Sequence, residues 1–237
     1  MNAAWAIFRK ELKVYFVSPL ATVFLATFLF LAGLFFYLGV AMSGEASLRV
    51  MMGNLTIALM FLLPMLTMRH FAEEERNGTL ELMMTAPVPL WGLLFGKWAA
   101  SVGLCVLMLC GTLLFPAILA YYGDPDWGVI ATSYLGLVLC SMAFVSAGLF
   151  ASSLTDEPVA AGILGVLVLL PFWLAGAMAE MVESNTLREV LRELSIMTHV
   201  DSFSKGIIDS ADVVWFVLIC VGFLFLTWRS IESRRWR

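Results

Sequence analysis

The run Val14–Gly44, VYFVSPLATVFLATFLFLAGLFFYLGVAMSG, carries no charged side chain over 31 residues. A charge at the centre of a membrane helix costs roughly 2.5–3.5 kcal/mol, and crossing ~30 Å of hydrocarbon takes about 20 apolar residues. The run therefore predicts a spanning helix. Working outward, charge-free gaps recur at 50–68, 98–123, 127–155, 158–179 and 213–228. The last is short at 16 residues, but Arg229 can snorkel, and Ala211 and Asp212 fit the headgroup layer. The runs are too long for soluble core strands and lack the alternation of a barrel. The expected fold class is an all-α membrane protein with six transmembrane helices. The spans fall at about 20–42, 50–68, 98–121, 128–153, 158–179 and 211–229, within one domain over 1–237.

Composition agrees. Hydrophobic residues make up 61% and charged residues 14%, with mean hydropathy +0.92; soluble domains are about 45–50% apolar and 25% charged. The net charge of −4 leaves no basic excess and argues against a nucleic-acid partner. Arg9, Lys10 and Lys13 resemble the start of a signal peptide. The uncharged run that follows far exceeds an h-region of about 7–15 residues, so it is expected to remain as helix 1. With a cytoplasmic N-terminus, ten Lys and Arg lie inside and four outside (Arg49, Arg188, Arg192, Lys205), and both termini are cytoplasmic. Tyr121, Tyr122 and Trp127 suit an interfacial turn. Cys105, Cys110, Cys140 and Cys220 all fall within spans and read as small buried hydrophobes.

Three segments lie outside the spans. Trp5, Phe8, Leu12 and Phe16 sit near helical spacing beside Arg9, Lys10, Glu11 and Lys13, which predicts an N-terminal interfacial helix or a simple positive anchor. Between helices 2 and 3, a charged helical stretch should run to Arg76 and break at Asn77-Gly78. Thr79 could then cap a short helix with Glu81 in its first turn and Leu80, Met83 and Met84 on its apolar side, stopped by Pro87 and Pro89. Such a charged helix suits a docking knob; an ordinary solvated loop is the plainer alternative. Beyond helix 5, Thr186 and Glu189 form a capping box, and Leu187, Val190, Leu191 and Leu194 make an amphipathic stripe. That helix should lie on the outer surface or re-enter a pore mouth. Its position after the second helix of the second half faintly suggests a 3+3 inverted repeat.

Several chemistries are missing. No span is expected to hold an ionisable group other than cysteine at mid-depth, which disfavours proton-driven transport. There is no HExxH, and His70 and His199 fall on opposite sides of the membrane. Gly92-Leu-Leu-Phe-Gly96-Lys97 is one residue short of a phosphate loop and is followed by Trp98. The chain should therefore hold no nucleotide, and any driving energy must come from elsewhere. Pro64, Pro116 and Pro171 lie within spans and could kink them; Pro64 and Pro171 are the candidate gating kinks.

The segment Phe71–Pro87, FAEEERNGTLELMMTAP, resembles the signature of ABC-2 type transporter permeases: a charged run, then Gly-Thr-x-Glu, then Pro. Arg9-Lys10-Glu11-Leu12 with Ser18-Pro19, Ser202-Phe203 with Gly206–Asp209, and Ser233–Trp236 resemble the gliding-motility-associated subfamily. The resemblance implies a permease subunit with six helices, paired with a second permease copy, either identical or related, in the bacterial cytoplasmic membrane and in contact with lipid. A separate ATP-binding-cassette subunit would bind ATP and Mg, so this chain would carry no cofactor and no catalytic residue. It further implies that the segment carries a coupling helix. Glu73, Glu74, Glu75, Arg76 and Glu81 would contact the ATPase, with Gly78 for the turn, Thr79 for the cap and Pro87 for the stop. The first outside loop, Ser43–Arg49, is too short for a substrate-selecting domain. Export is the expected direction. A stand-alone channel or ion-coupled carrier, and a membrane scaffold for an ATPase-driven envelope machine, are the competing classes.

Overall fold

Proline opens two of the long helices, because its fixed φ suits a first helical position whose N–H has no partner. In the computed structural model, which describes residues 3–43, 47–79, 89–123 and 125–234, Pro19 and Pro158 both hold that place. The chain forms α1 (Ala3–Val17), α2 (Pro19–Ser43), α3 (Arg49–Thr67), α4 (Arg69–Arg76), α5 (Leu90–Gly111), α6 (Leu114–Tyr122), α7 (Trp127–Ser152), α8 (Pro158–Met181), α9 (Asn185–Leu194), α10 (Ile196–Ser204) and α11 (Ser210–Arg234). No strand occurs among the described residues. Six segments are long and apolar enough to cross a membrane: Ala21–Ala41, Arg49–Arg76, Leu90–Tyr122, Trp127–Ser152, Pro158–Met181 and Ser210–Ser233. The protein is an all-α, multi-pass membrane protein.

α7 is the axis of the bundle. It packs against α3, α8, α11, α10, α5 and α4, and 78% of its most apolar window is buried, against 17% for α2. Small residues permit this, since close helix approach in a membrane rests on them. A Cβ added at Gly148 would collide with Thr67 Oγ1 and lie 3.1 Å from Pro64 Cα; one at Gly165 of α8 would lie 2.7 Å from Pro64 Cβ. Pro64 is thus buried where α3, α7 and α8 meet, whereas Pro171 is exposed on α8.

The third span departs from expectation at its start. Helix was expected only beyond Lys97, but α5 begins at Leu90 after Pro89. Lys97 therefore lies on a helix, and its side chain is only 1% exposed. A gap-counting rule treats every charge as facing lipid, and this one faces protein. The same span is interrupted at Thr112-Leu113. Pro116 has no N–H to offer the Thr112 carbonyl, which accepts from Phe115 N instead at 3.0 Å.

Two further corrections concern the segment beyond α8. α9 starts one residue before Thr186, with Ser184 in the cap position and no side-chain cap, so the capping box does not form. The apolar stripe is present but open: Leu187, Val190 and Leu194 are 43–50% exposed. The buried element is α10, whose Ile196, His199, Val200 and Phe203 face the bundle. Gly136 makes room for Phe203, whose Cβ would lie 2.8 Å from a Cβ added there, and Thr132 donates to the Phe203 carbonyl at 2.8 Å. Cys105, Cys140 and Cys220 are buried as expected, but Cys110 is exposed, because it faces outward from α5.

Candidate coupling site

Span 2 does not stop at Arg69. The chain continues past Met68 into α4, whose amphipathic pattern buries His70, Phe71 and Ala72 and turns Glu73 and Arg76 outward. The first N–H groups of a helix need partners. Ser152, at the end of α7, supplies them: its Oγ accepts from Phe71 N at 3.0 Å and Ala72 N at 3.1 Å, and donates to Met68 O at 2.9 Å. At the other end Asn77 N and Gly78 N bond back to Glu73 O and Glu75 O. Gly78 then takes φ +68°, a left-handed turn that glycine adopts without strain. Thr79 Oγ1 donates back to Glu74 O at 3.2 Å. The short helix expected next, together with Glu81 and Pro87, lies outside the described residues.

Three charges bind α4 to its neighbours. Lys97 Nζ of α5 lies 2.6 Å from Glu74 Oε1 of α4 and 3.2 Å from Glu11 Oε1 of α1, and donates to His70 O at 3.1 Å. The side chains of Glu11 and Glu74 are only 9% and 14% exposed. Burial by itself would raise the Glu11 carboxyl; Lys97, with help from Lys10, outweighs it and holds the group below the ordinary carboxylate range. Beside this latch, Tyr15 OH, His70 Nε2 and Ser101 Oγ form a closed triangle with sides of 2.6, 3.0 and 2.8 Å, and burial pushes the Tyr15 phenol up. Glu74 Oε2 has no hydrogen-bond partner. The latch borders an open cavity of about 410 Å³ that is also lined by Arg69, Glu73, Asn77 and Thr79.

The arrangement makes one mechanical unit of α1, α4, α5 and the end of α7. The sequence placed Glu73, Glu74, Glu75, Arg76, Gly78 and Thr79 on one segment, and all are on or just after α4. Their environments differ. Glu73, Arg76, Gly78 and Thr79 are exposed and Glu75 is half-buried, while Glu74 is committed inward to Lys97. Glu11 was expected on a solvated polar face and is instead buried. Lys97, His70, Tyr15, Ser101 and Ser152 were not singled out for this site. Pro87 and Pro89 were the available signal for Lys97, since a helix starting just past them must contain it.

The family model for ABC-2 family transporter protein matches residues 42–229. The chain is also similar to the inner membrane transport permease YhhJ of Escherichia coli (strain K12) and of Shigella flexneri. Each is 26% identical over 180 residues, covering 72% of this chain and 47% of the relative. The chain thus spans about half the length of the curated relatives it matches. With six spanning helices and a family match over most of its length, the chain belongs to the ABC-2 transporter family.

Proposed function

We propose that this chain is the membrane half of an exporter in the bacterial cytoplasmic membrane, driven by ATP hydrolysed with Mg on a separate ATP-binding-cassette subunit. Two permeases, identical or related, pair across the membrane, with α1, α4 and both termini on the cytoplasmic side. The segment 77–88 seats on the ATPase, with Glu73, Arg76 and Glu81 making polar contacts. The narrower kinship with gliding-motility permeases rests on the residue patterns at both ends of the chain and on Ser202-Phe203 with Gly206–Asp209.

One observation carries this reading. α4 is tied to α1 through Glu11, to α5 through Lys97 and to α7 through Ser152, and it leads directly into the segment. A push on 77–88 therefore reaches three elements at once. When ATP closes the two cassette subunits, this unit moves as a block, and the flexion falls where span 2 passes Pro64.

Affinity purification of the tagged chain in mild detergent, followed by mass spectrometry, tests the reading. The expected result is a stoichiometric ATP-binding-cassette protein that is lost on Glu81→Lys while the permease stays monodisperse. Undiminished transport and ATPase retention in Glu81→Lys would rule out the segment as the docking element.

A further inference from the structure

An apolar groove runs between α5 and α11 on the outside of the bundle. Trp91, Phe95 and Trp98 form one wall, at i, i+4 and i+7 of α5. Val217, Val221 and Leu224 form the other, at the same spacing on α11, with Leu139 and Met142 of α7 as the floor. Its volume is about 190 Å³. Two polar atoms of its lining are bonded away from it: Trp98 Nε1 donates to Ser146 Oγ at 2.9 Å, and Cys220 Sγ lies 3.0 Å from the same oxygen. The surface offered is hydrocarbon.

At the α1/α4 end the groove closes on a different chemistry. Trp91 stacks on Trp228 with ring centroids 5.3 Å apart, and the Arg229 guanidinium sits 5.8 Å over the Trp228 ring. Arg229 is largely exposed, and among the described residues it pairs with Glu232 at 3.3 Å on the same helix, an exposed pair of little energetic weight. Trp228 lies eleven helical steps beyond Val217, or about 16 Å. One leaflet of a ~30 Å hydrocarbon core is about 15 Å deep. The groove therefore extends from an aromatic and cationic mouth, as found at headgroup level, to the bilayer midplane.

We propose that this groove seats one acyl chain of an anionic phospholipid from the leaflet at the α1/α4 end, with the phosphate held beside Arg229. The lipid then touches α5, which carries Lys97, and α11, which is tied to the end of α7 through Ser230 Oγ and the Ser153 carbonyl at 3.0 Å. The site does not rest on the coupling reading.

The test uses the full chain in nanodiscs of phosphatidylglycerol bearing a mid-chain diazirine. Cross-linked residues are mapped by mass spectrometry. Adducts should concentrate several-fold on Trp91–Trp98 and Val217–Leu224 over Val23, Phe30 and Ile163, which are exposed on α2 and α8. Val221→Trp, or Val217→Phe if the first variant does not fold, should lower the groove adducts several-fold and leave those on α2 unchanged. Arg229→Gln should erase the excess of phosphatidylglycerol over phosphatidylcholine adducts. Equal labelling of groove and α2 would overturn the proposal. So would quantitative inter-protomer disulfide formation by Val221→Cys in native membranes, which would give this face to a second copy.

Discussion

The two ends of the bundle each fasten non-spanning helices with a buried histidine and a carboxylate, and they do so differently. At the α9/α10 end, His199 Nδ1 lies 2.6 Å from Asp212 Oδ1 and Nε2 lies 3.0 Å from the Glu193 carbonyl. A carbonyl only accepts, so Nε2–H donates to Glu193. The ring also stacks on Trp215 at 4.3 Å. Every polar position of that ring is taken. At the α1/α4 end the cation is Lys97, shared between two carboxylates, and one oxygen of Glu74 is left over beside an open cavity. One end is a closed clamp built to hold α10 in place. The other is a junction with acceptor capacity to spare, set beside the segment proposed to receive mechanical input.

The sharpest way to break that contrast is to remove the shared cation. Lys97→Met leaves Glu74 buried without its cation and Glu11 with only the exposed Lys10 at 3.7 Å, so it should cost about 3–5 kcal/mol, read as a fall in thermal stability in detergent. Adding Glu11→Gln and Glu74→Gln to it should recover most of the loss. If the triple variant is as unstable as the single one, electrostatics is not what holds α4. At the other end, Asp212→Asn weakens one charge-assisted bond, worth about 1.5–3 kcal/mol. Hydrogen exchange should accelerate in α10 and not in α4; acceleration at both ends would mean that the two regions are one cooperative unit.

Packing gives a second pair. Gly148→Ala forces a methyl group against Thr67 and the backbone of Pro64, an overpacking cost of about 1–3 kcal/mol. Gly176→Ala in α8 meets the Ser195 hydroxyl, which gives up only its long 3.4 Å cap bond from Thr198 N if it moves, and should cost less. Equal losses in a denaturation series would show that the α9/α10 end is as rigid as the Pro64 crossing.

The smallest effect is set by pH. Glu11 has a folded pKa below its ordinary value of about 4.3. Its contribution is complete above that value and is lost as pH falls through the depressed one. Docking of α1, followed by exchange of residues 8–16, should be constant from neutrality down to about pH 5 and weaken only below about 4. Glu11→Gln should remove the acid step, and a step at higher pH would point instead to Glu74, whose carboxyl burial raises.

Charge spacing located six spans because lipid excludes unpaired charge, and the Asn77-Gly78 break was legible because only a few residues turn that way. The same rule misplaced Lys97 and Glu11. Each reads as a solvated charge when considered alone, and only their convergence from positions 86 residues apart makes burial tolerable. The segment beyond α8 shows the converse. Leu187, Val190 and Leu194 form the more apolar stripe and are exposed, while the stripe containing His199 is buried. What decides is Gly136, on another helix, which leaves space for Phe203. Pattern gives a helix its faces; the choice of face depends on partners that pattern does not contain.

Ser152 also fixes an order of events. The amides of Phe71 and Ala72 are made 81 and 80 residues before the hydroxyl that satisfies them. At about 5–20 residues per second, the ribosome takes roughly four to sixteen seconds to close that interval. For that time α4 has no cap from α7, and spans 1 to 3 wait in the membrane without their axis. A nascent chain arrested before span 4 is therefore the form in which the proposed docking segment is least supported, so partner engagement is expected to follow insertion of α7 rather than precede it.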